Sequence, residues 1–238
     1  MSHHPSVQLV KFADDTTLTG LIHNSDESEY FEGVADLVSW CDANNLELNA
    51  SKTKEMVVDF RRNMTPFAPF TIKGVDIERV DTFKFLGTTI SSNLGWHSNT
   101  ATLVRRAQQR LYFLRQLRKF GLRREILRQF YRSTVESILT FSISVWFGGT
   151  DQAQRKMLDR VVSHASRTVG EELTPLATIY EARMTTRAKK IVSDPAHPAH
   201  HLFQRLPSGR RYRLIKAGTA RLRRSFFPSA VSALNSKL

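Results

Sequence analysis

The chain has a single cysteine, Cys41, in 238 residues. That excludes an internal disulfide framework and any zinc site built on cysteines. Long apolar runs are missing as well, since no stretch approaches the roughly 20 residues that a membrane-spanning helix needs. Met1 to Pro5 lacks the charged start and apolar core of a secretory leader. These absences lead us to expect an intracellular protein without a membrane partner. No Gly-x-Gly-x-x-Gly loop occurs, which removes the usual nucleotide-cofactor cradle. Acid is the scarce charge: 22 Asp and Glu stand against 35 Lys and Arg.

What is present is apolar enough to fold. A hydrophobic fraction of 41% supports a real core rather than wholesale disorder. The net charge of +13 and pI near 10.3 point to a polyanionic partner, RNA or DNA before an anionic surface.

Two adjacent acids interrupt the first apolar stretch. Val7 to Ile22 reads as a strand, a tight turn holding Asp14 and Asp15, and a second strand. The apolar flanks predict buried or half-buried strands. Like charges repel, so the pair either marks a turn that favours Asp or holds a divalent cation such as Mg²⁺, which prefers carboxylate oxygens. A helix from about Asp26 to Asn45 follows, with Asp26 as N-cap and Tyr30, Val34, Leu37, Val38 and Cys41 on its apolar face. Glu55 to Phe60 reads as a strand, Arg61 to Pro69 as a loop, and Phe70 to Val80 as a hairpin about Gly74. Phe83 to Ile90 reads as one strand, whose Gly87 marks a bulge or a close backbone approach.

From Thr100 the composition turns basic. Leu103, Ala107, Leu111, Leu114 and Leu117 mark one helical face, and Gly121 ends it. Further helices are expected over about Arg123–Trp146 and Asp151–Val169, then a short one ending near Ile191. Between Arg105 and Arg132 lie ten basic residues, among them Arg106, Arg110, Arg115, Arg118 and Lys119, and the only acid is Glu125. Ordinary surfaces mix signs. A stripe of one sign suits a phosphate backbone. The region after Ser193 carries Arg205, Arg210, Arg211, Arg213, Lys216, Arg221, Arg223 and Arg224 without an acid among them. It reads as a flexible basic arm with a helix near its end. The histidines His197, His200 and His201 sit beside prolines and read as solvated loop residues.

Phe12-Ala13-Asp14-Asp15 resembles the catalytic Tyr/Phe-x-Asp-Asp hairpin of reverse transcriptases. Leu46-Glu47-Leu48-Asn49-Ala50-Ser51-Lys52-Thr53 is similar to the segment that follows that hairpin in non-LTR, LINE-type retrotransposon polymerases. Phe83-Lys84-Phe85-Leu86-Gly87 resembles their next signature, and the Arg-rich helices resemble their thumb. Pro207 to Arg213 and Ser225 to Pro228 resemble the tail of such elements. The resemblance implies an α+β fold: a partial polymerase palm over 1–99, a basic helical thumb-like bundle over 100–170, and a partly disordered tail over 171–238. It implies that Asp14 and Asp15 hold Mg²⁺ in a two-metal phosphoryl transfer, and that Phe85 and Gly87 sit near the primer end. Lys52 would compensate charge on leaving pyrophosphate, or is an ordinary exposed loop lysine. The family carries a further essential Asp and its fingers upstream of the hairpin. Eleven residues precede Phe12 here, so the expectation is a truncated polymerase fragment that binds nucleic acid without polymerising alone. The alternative is a non-catalytic basic helical module that binds RNA or DNA.

Residues 107–139 also resemble a helical segment grouped with the N-terminus of AlkB-homologue tRNA-modifying proteins. An oxygenase site of that lineage needs two His and a carboxylate. No His here is followed two residues later by Asp or Glu.

Overall fold

The structure is a computed structural model that describes residues 6–61, 67 and 69–236. Most of the expected loop between Arg61 and Pro69, and the first five residues, lie outside the described residues. The chain is a mixture of helix and strand, α+β in class. It divides into two units, Met1–Asp81 and Thr82–Leu238, a boundary that precedes the change of composition at Thr100.

In the first unit, β1 (Val7–Phe12) and β2 (Asp15–Gly20) form an antiparallel hairpin in which Phe12 faces Asp15. The loop is Ala13-Asp14, two residues, with Ala13 at φ 54°. A left-handed first loop position matches the right-handed twist of the paired strands. The strands are less buried than their sequence predicts. Phe12 is 63% exposed and Val10 52%. Among the described residues β1 and β2 pair only with each other, so no third strand extends the hairpin. The helix α1 (Ser28–Ala43) lies on the hairpin through two glycines. A Cβ at Gly20 would meet Tyr30 Cδ2 at 2.7 Å, and one at Gly33 would meet Val7 Cγ1 at 2.8 Å.

The start of α1 differs slightly from expectation. Asp26 does not cap the helix directly; its carboxylate accepts from Ser28 N at 3.0 Å and Ser28 Oγ at 2.6 Å, which holds its pKa below the ordinary value. The strand expected over Glu55–Phe60 shrinks to β3 (Lys54–Glu55). Asp59 instead binds Arg61 through backbone N–H and guanidinium, a local ring that competes with a ladder. The expected hairpin forms from β4 (Thr71–Ile72) and β5 (Val75–Asp76). Lys73 and Gly74, both at positive φ, make its turn. β6 (Glu78–Arg79) pairs with β3 in parallel, and Arg79 holds the buried Glu55 carboxylate at 2.7 Å. Val34, Phe70, Ile72 and Ile77 form this unit's small core.

The second unit begins with a hairpin where one strand is expected. Residues 82–91 are not one strand but a hairpin, β7 (Thr82–Phe85) and β8 (Thr88–Ser91), turned at Leu86-Gly87. Both turn residues have positive φ, 44° and 84°, and only glycine takes the second without strain. β8 packs on α2 (His97–Lys119), where Asn99 Oδ1 accepts from Thr89 N at 3.1 Å. The helix expected over Arg123–Trp146 is broken. It runs as α3 (Arg124–Phe130), a π-helical turn (Tyr131–Glu136) and α4 (Ser137–Leu139), and restarts as α5 (Ile143–Trp146) after Ser142 at φ 47°. Ser133, Thr134 and Ser137 hydroxyls bond back to carbonyls one turn earlier, a competition that loosens α-helical geometry.

α6 (Gln152–Val169) begins with a full capping box: Gln154 N donates to Asp151 Oδ1 at 2.7 Å, and Asp151 N to Gln154 Oε1 at 3.2 Å. Gly170 ends it at φ 81°. A helix ending near Ile191 is present as expected, and the region after Ser193 is folded rather than a flexible arm. α7 (Leu176–Ser193) and α9 (Phe226–Asn235), with the short α8 (Ala220–Arg223) before it, are folded. Leu176, Met184, Ala188, Phe203, Ala230 and Val231 enter the same core as Leu114, Tyr131, Trp146 and Leu158. The arginines hid the apolar spacing from a reading by composition.

Candidate nucleic-acid interface

α2 buries Leu103, Ala107, Leu111 and Leu114, a spacing of three and four that turns one face inward. The rest of the cylinder is cationic and aromatic. Arg105, Tyr112 and Lys119 stand two helical turns apart along the outer face. Arg106, Arg110 and Phe113 run beside them, and Arg115 flanks the row. All seven are exposed. Tyr112 and Phe113 meet edge to face with ring centres 5.5 Å apart. Phe120, 80% exposed, ends the helix. Among the described residues, the only ion pair drawn from residues 105–132 is Arg128 with Glu171, at 3.3 Å. The outer cations of α2 are therefore not consumed internally. Arg118 differs, because its guanidinium donates to the Thr168 carbonyl near the C-terminal end of α6.

The remaining candidates fall in both units. Asp14 is the second loop residue of the β1–β2 hairpin and Asp15 opens β2, both exposed. No hydrogen bond or ion pair links Lys52 to either among the described residues. Lys52 belongs to a turn organised by Asn49, whose Oδ1 accepts from Lys52 N at 3.1 Å and Ser51 Oγ at 2.8 Å. Thr53 Oγ1 donates to Asn49 O at 2.9 Å. The Asn-x-x-Lys-Thr spacing is thus a side-chain-closed turn, which presents an exposed Lys52. Phe85 ends β7 half-buried, and Gly87 lies in the turn against Phe141. Among the described residues no group of three or more His, Cys, Asp or Glu could hold a metal ion. Asp14 and Asp15 supply two carboxylates and no third donor, so no catalytic step through Mg²⁺ is derived. The linker histidines contact local backbone: His200 Nδ1 lies 3.1 Å from Ile191 O, and His201 Nδ1 2.8 Å from Pro198 O.

No helix among the described residues is long and apolar enough to cross a membrane. The family model for the N-terminal part of alkylated DNA repair protein alkB homolog 8 matches residues 96–137. That stretch is α2, α3 and the π-helical turn, less than a fifth of the chain. The similarity belongs to this helical stretch and overlaps the segment over 107–139. No curated protein and no solved structure matches the chain.

Proposed function

We propose that the chain is a nucleic-acid-binding fragment of reverse-transcriptase ancestry, and that α2 supplies its main contact with RNA or DNA. The observation that carries the reading is the outer face of α2, where Arg105, Arg106, Arg110 and Arg115 are exposed and free of ion pairs among the described residues. Such a face gains affinity by releasing counterions from a phosphate backbone. Exposed Tyr112 and Phe113 between the cations favour unpaired bases, on which aromatic rings stack. The ancestry rests on the order of the motifs: the Ala13-Asp14 hairpin, the Asn49 turn that presents Lys52, and the Phe85-Leu86-Gly87 turn. With only two carboxylates at the hairpin tip, the chain alone is not expected to extend a primer. The AlkB-like similarity to α2 and α3 brings no set of iron ligands with it, so oxygenase chemistry is not proposed.

Filter binding of single-stranded RNA and DNA across a salt series tests the binding reading. Affinity should fall steeply as salt rises. Absence of binding at low salt would refute it. Primer extension with template, deoxynucleotides and Mg²⁺ separates a working polymerase from a non-catalytic basic module. Product that depends on Asp14 would show that the catalytic site is intact after all.

A further inference from the structure

The second unit contains a cavity of about 460 Å³ between α6, α7 and the junction of α8 with α9. Arg155 of α6, Tyr180, Glu181 and Thr185 of α7, and the neighbours Arg223 and Arg224 line it. Its tight side depends on a missing side chain. A Cβ at Gly148 would lie 2.4 Å from the Arg224 carbonyl oxygen and 2.6 Å from Tyr180 Oη. The Arg155 guanidinium lies 5.2 Å from the centre of the Phe147 ring, and its Nε donates to Thr150 Oγ1 at 3.2 Å. One edge of the guanidinium is thereby held. Across the cavity, Ser229 Oγ donates to the Arg223 carbonyl at 3.3 Å.

The charge is lopsided. Three arginines share the lining with one carboxylate, Glu181, and none of the four joins an ion pair among the described residues. A concave surface of one sign concentrates the opposite charge, and guanidinium forks match phosphate oxygens. The volume falls within the roughly 300–1,000 Å³ typical of small-molecule sites. The lining is also more varied than a lone anion requires. Phe147 and Tyr180, both buried, form its floor, and Glu181 is an acceptor suited to sugar hydroxyls.

We propose that this cavity binds a phosphorylated nucleotide, with Arg155, Arg223 and Arg224 on its phosphates and Glu181 on its sugar. The site is separate from the outer face of α2 and does not depend on it. The nucleotide is either free or the 5′-phosphorylated end of a strand.

Calorimetry on the full chain with three probes decides: ATP, a short DNA strand with a 5′-phosphate, and the same strand with a 5′-hydroxyl. Binding of ATP identifies a free nucleotide as the ligand. Preference for the 5′-phosphate over the 5′-hydroxyl strand identifies a strand end. Arg155→Gln and Arg224→Gln should each weaken that phosphate-dependent binding roughly tenfold, the worth of one charge-assisted contact. Arg223→Gln, at an exposed position, serves if Arg155→Gln fails to fold. Arg105→Gln on α2 should weaken both strands equally and leave ATP unchanged, so failure of the α2 reading remains distinguishable. The proposal is overturned if ATP does not bind and the strands bind alike. It is also overturned if phosphate-dependent binding survives the cavity variants.

Discussion

Gly87 and Phe141 are matched: a Cβ on the glycine would stand 2.9 Å from Cε1 of the ring. The ring thus covers the turn of the β7–β8 hairpin, and the second turn position cannot carry a side chain. Gly87 also holds φ 84°, where a Cβ is strained whatever the space. Gly87→Ala should lower the stability of the second unit by about 1–3 kcal/mol in denaturant unfolding. Adding Phe141→Ala should remove the steric part and leave the conformational part. A fully additive double variant would show that ring and glycine do not interact.

The α2 face makes a graded prediction. Replacing Arg105, Arg106 and Arg110 by Gln, one at a time and then together, should make the plot of log affinity against log salt shallower. Each phosphate that goes unneutralised should reduce the slope by about 1. Equivalent changes at Arg118 should instead loosen the end of α6, because that guanidinium serves the Thr168 carbonyl. An unchanged slope in the triple variant would place the nucleic acid elsewhere.

Asp151 and Gln154 close the start of α6 reciprocally. Asp151→Ala should cost about 1 kcal/mol, within the usual range for removing an N-cap. Asp151→Ser should restore most of it, since a serine oxygen can accept from the Gln154 N–H. Thermal melts of the two variants give the comparison directly.

Burial, reinforced by the Glu55 and Glu27 carboxylates, pushes the Tyr30 phenol up to about 12 from its ordinary value of 10.0. The unfolded chain therefore releases this proton first. Between pH 10.0 and about 12 the stability of the first unit should fall as pH rises. Tyr30→Phe should flatten that part of the profile and leave the region below it unchanged. Chemical unfolding followed across the alkaline range, with the phenolate absorbance as a second readout, measures both. A slope identical in the two proteins would count against the shift.

Local chemistry was the legible part of this sequence. The β1–β2 hairpin, the Lys73-Gly74 turn, α2 and α6 follow from alternation, helical spacing and turn residues. Two kinds of feature were hidden. Hydroxyl back-bonding from Ser133, Thr134 and Ser137 distorts a helix without changing its apolar spacing, so the π-helical turn leaves little trace in the sequence. The packing of the region after Ser193 into the core was masked by composition, because Arg221, Arg223 and Arg224 stand immediately before the apolar run that forms α9. The outer row of α2 was readable from charge alone. The cavity lined by Arg155, Glu181 and Arg224 was not, since its parts come together only in the folded unit.

The burial of Ala230 and Val231 also bears on how the chain is made. Their places in the core stay empty until α9 has emerged from the ribosome. Until then the earlier helices of the second unit wait with apolar surface uncovered. During that interval the cationic face of α2 is already complete, since it needs only its own helix. The face proposed to bind nucleic acid would thus be presented before the core of its unit is filled.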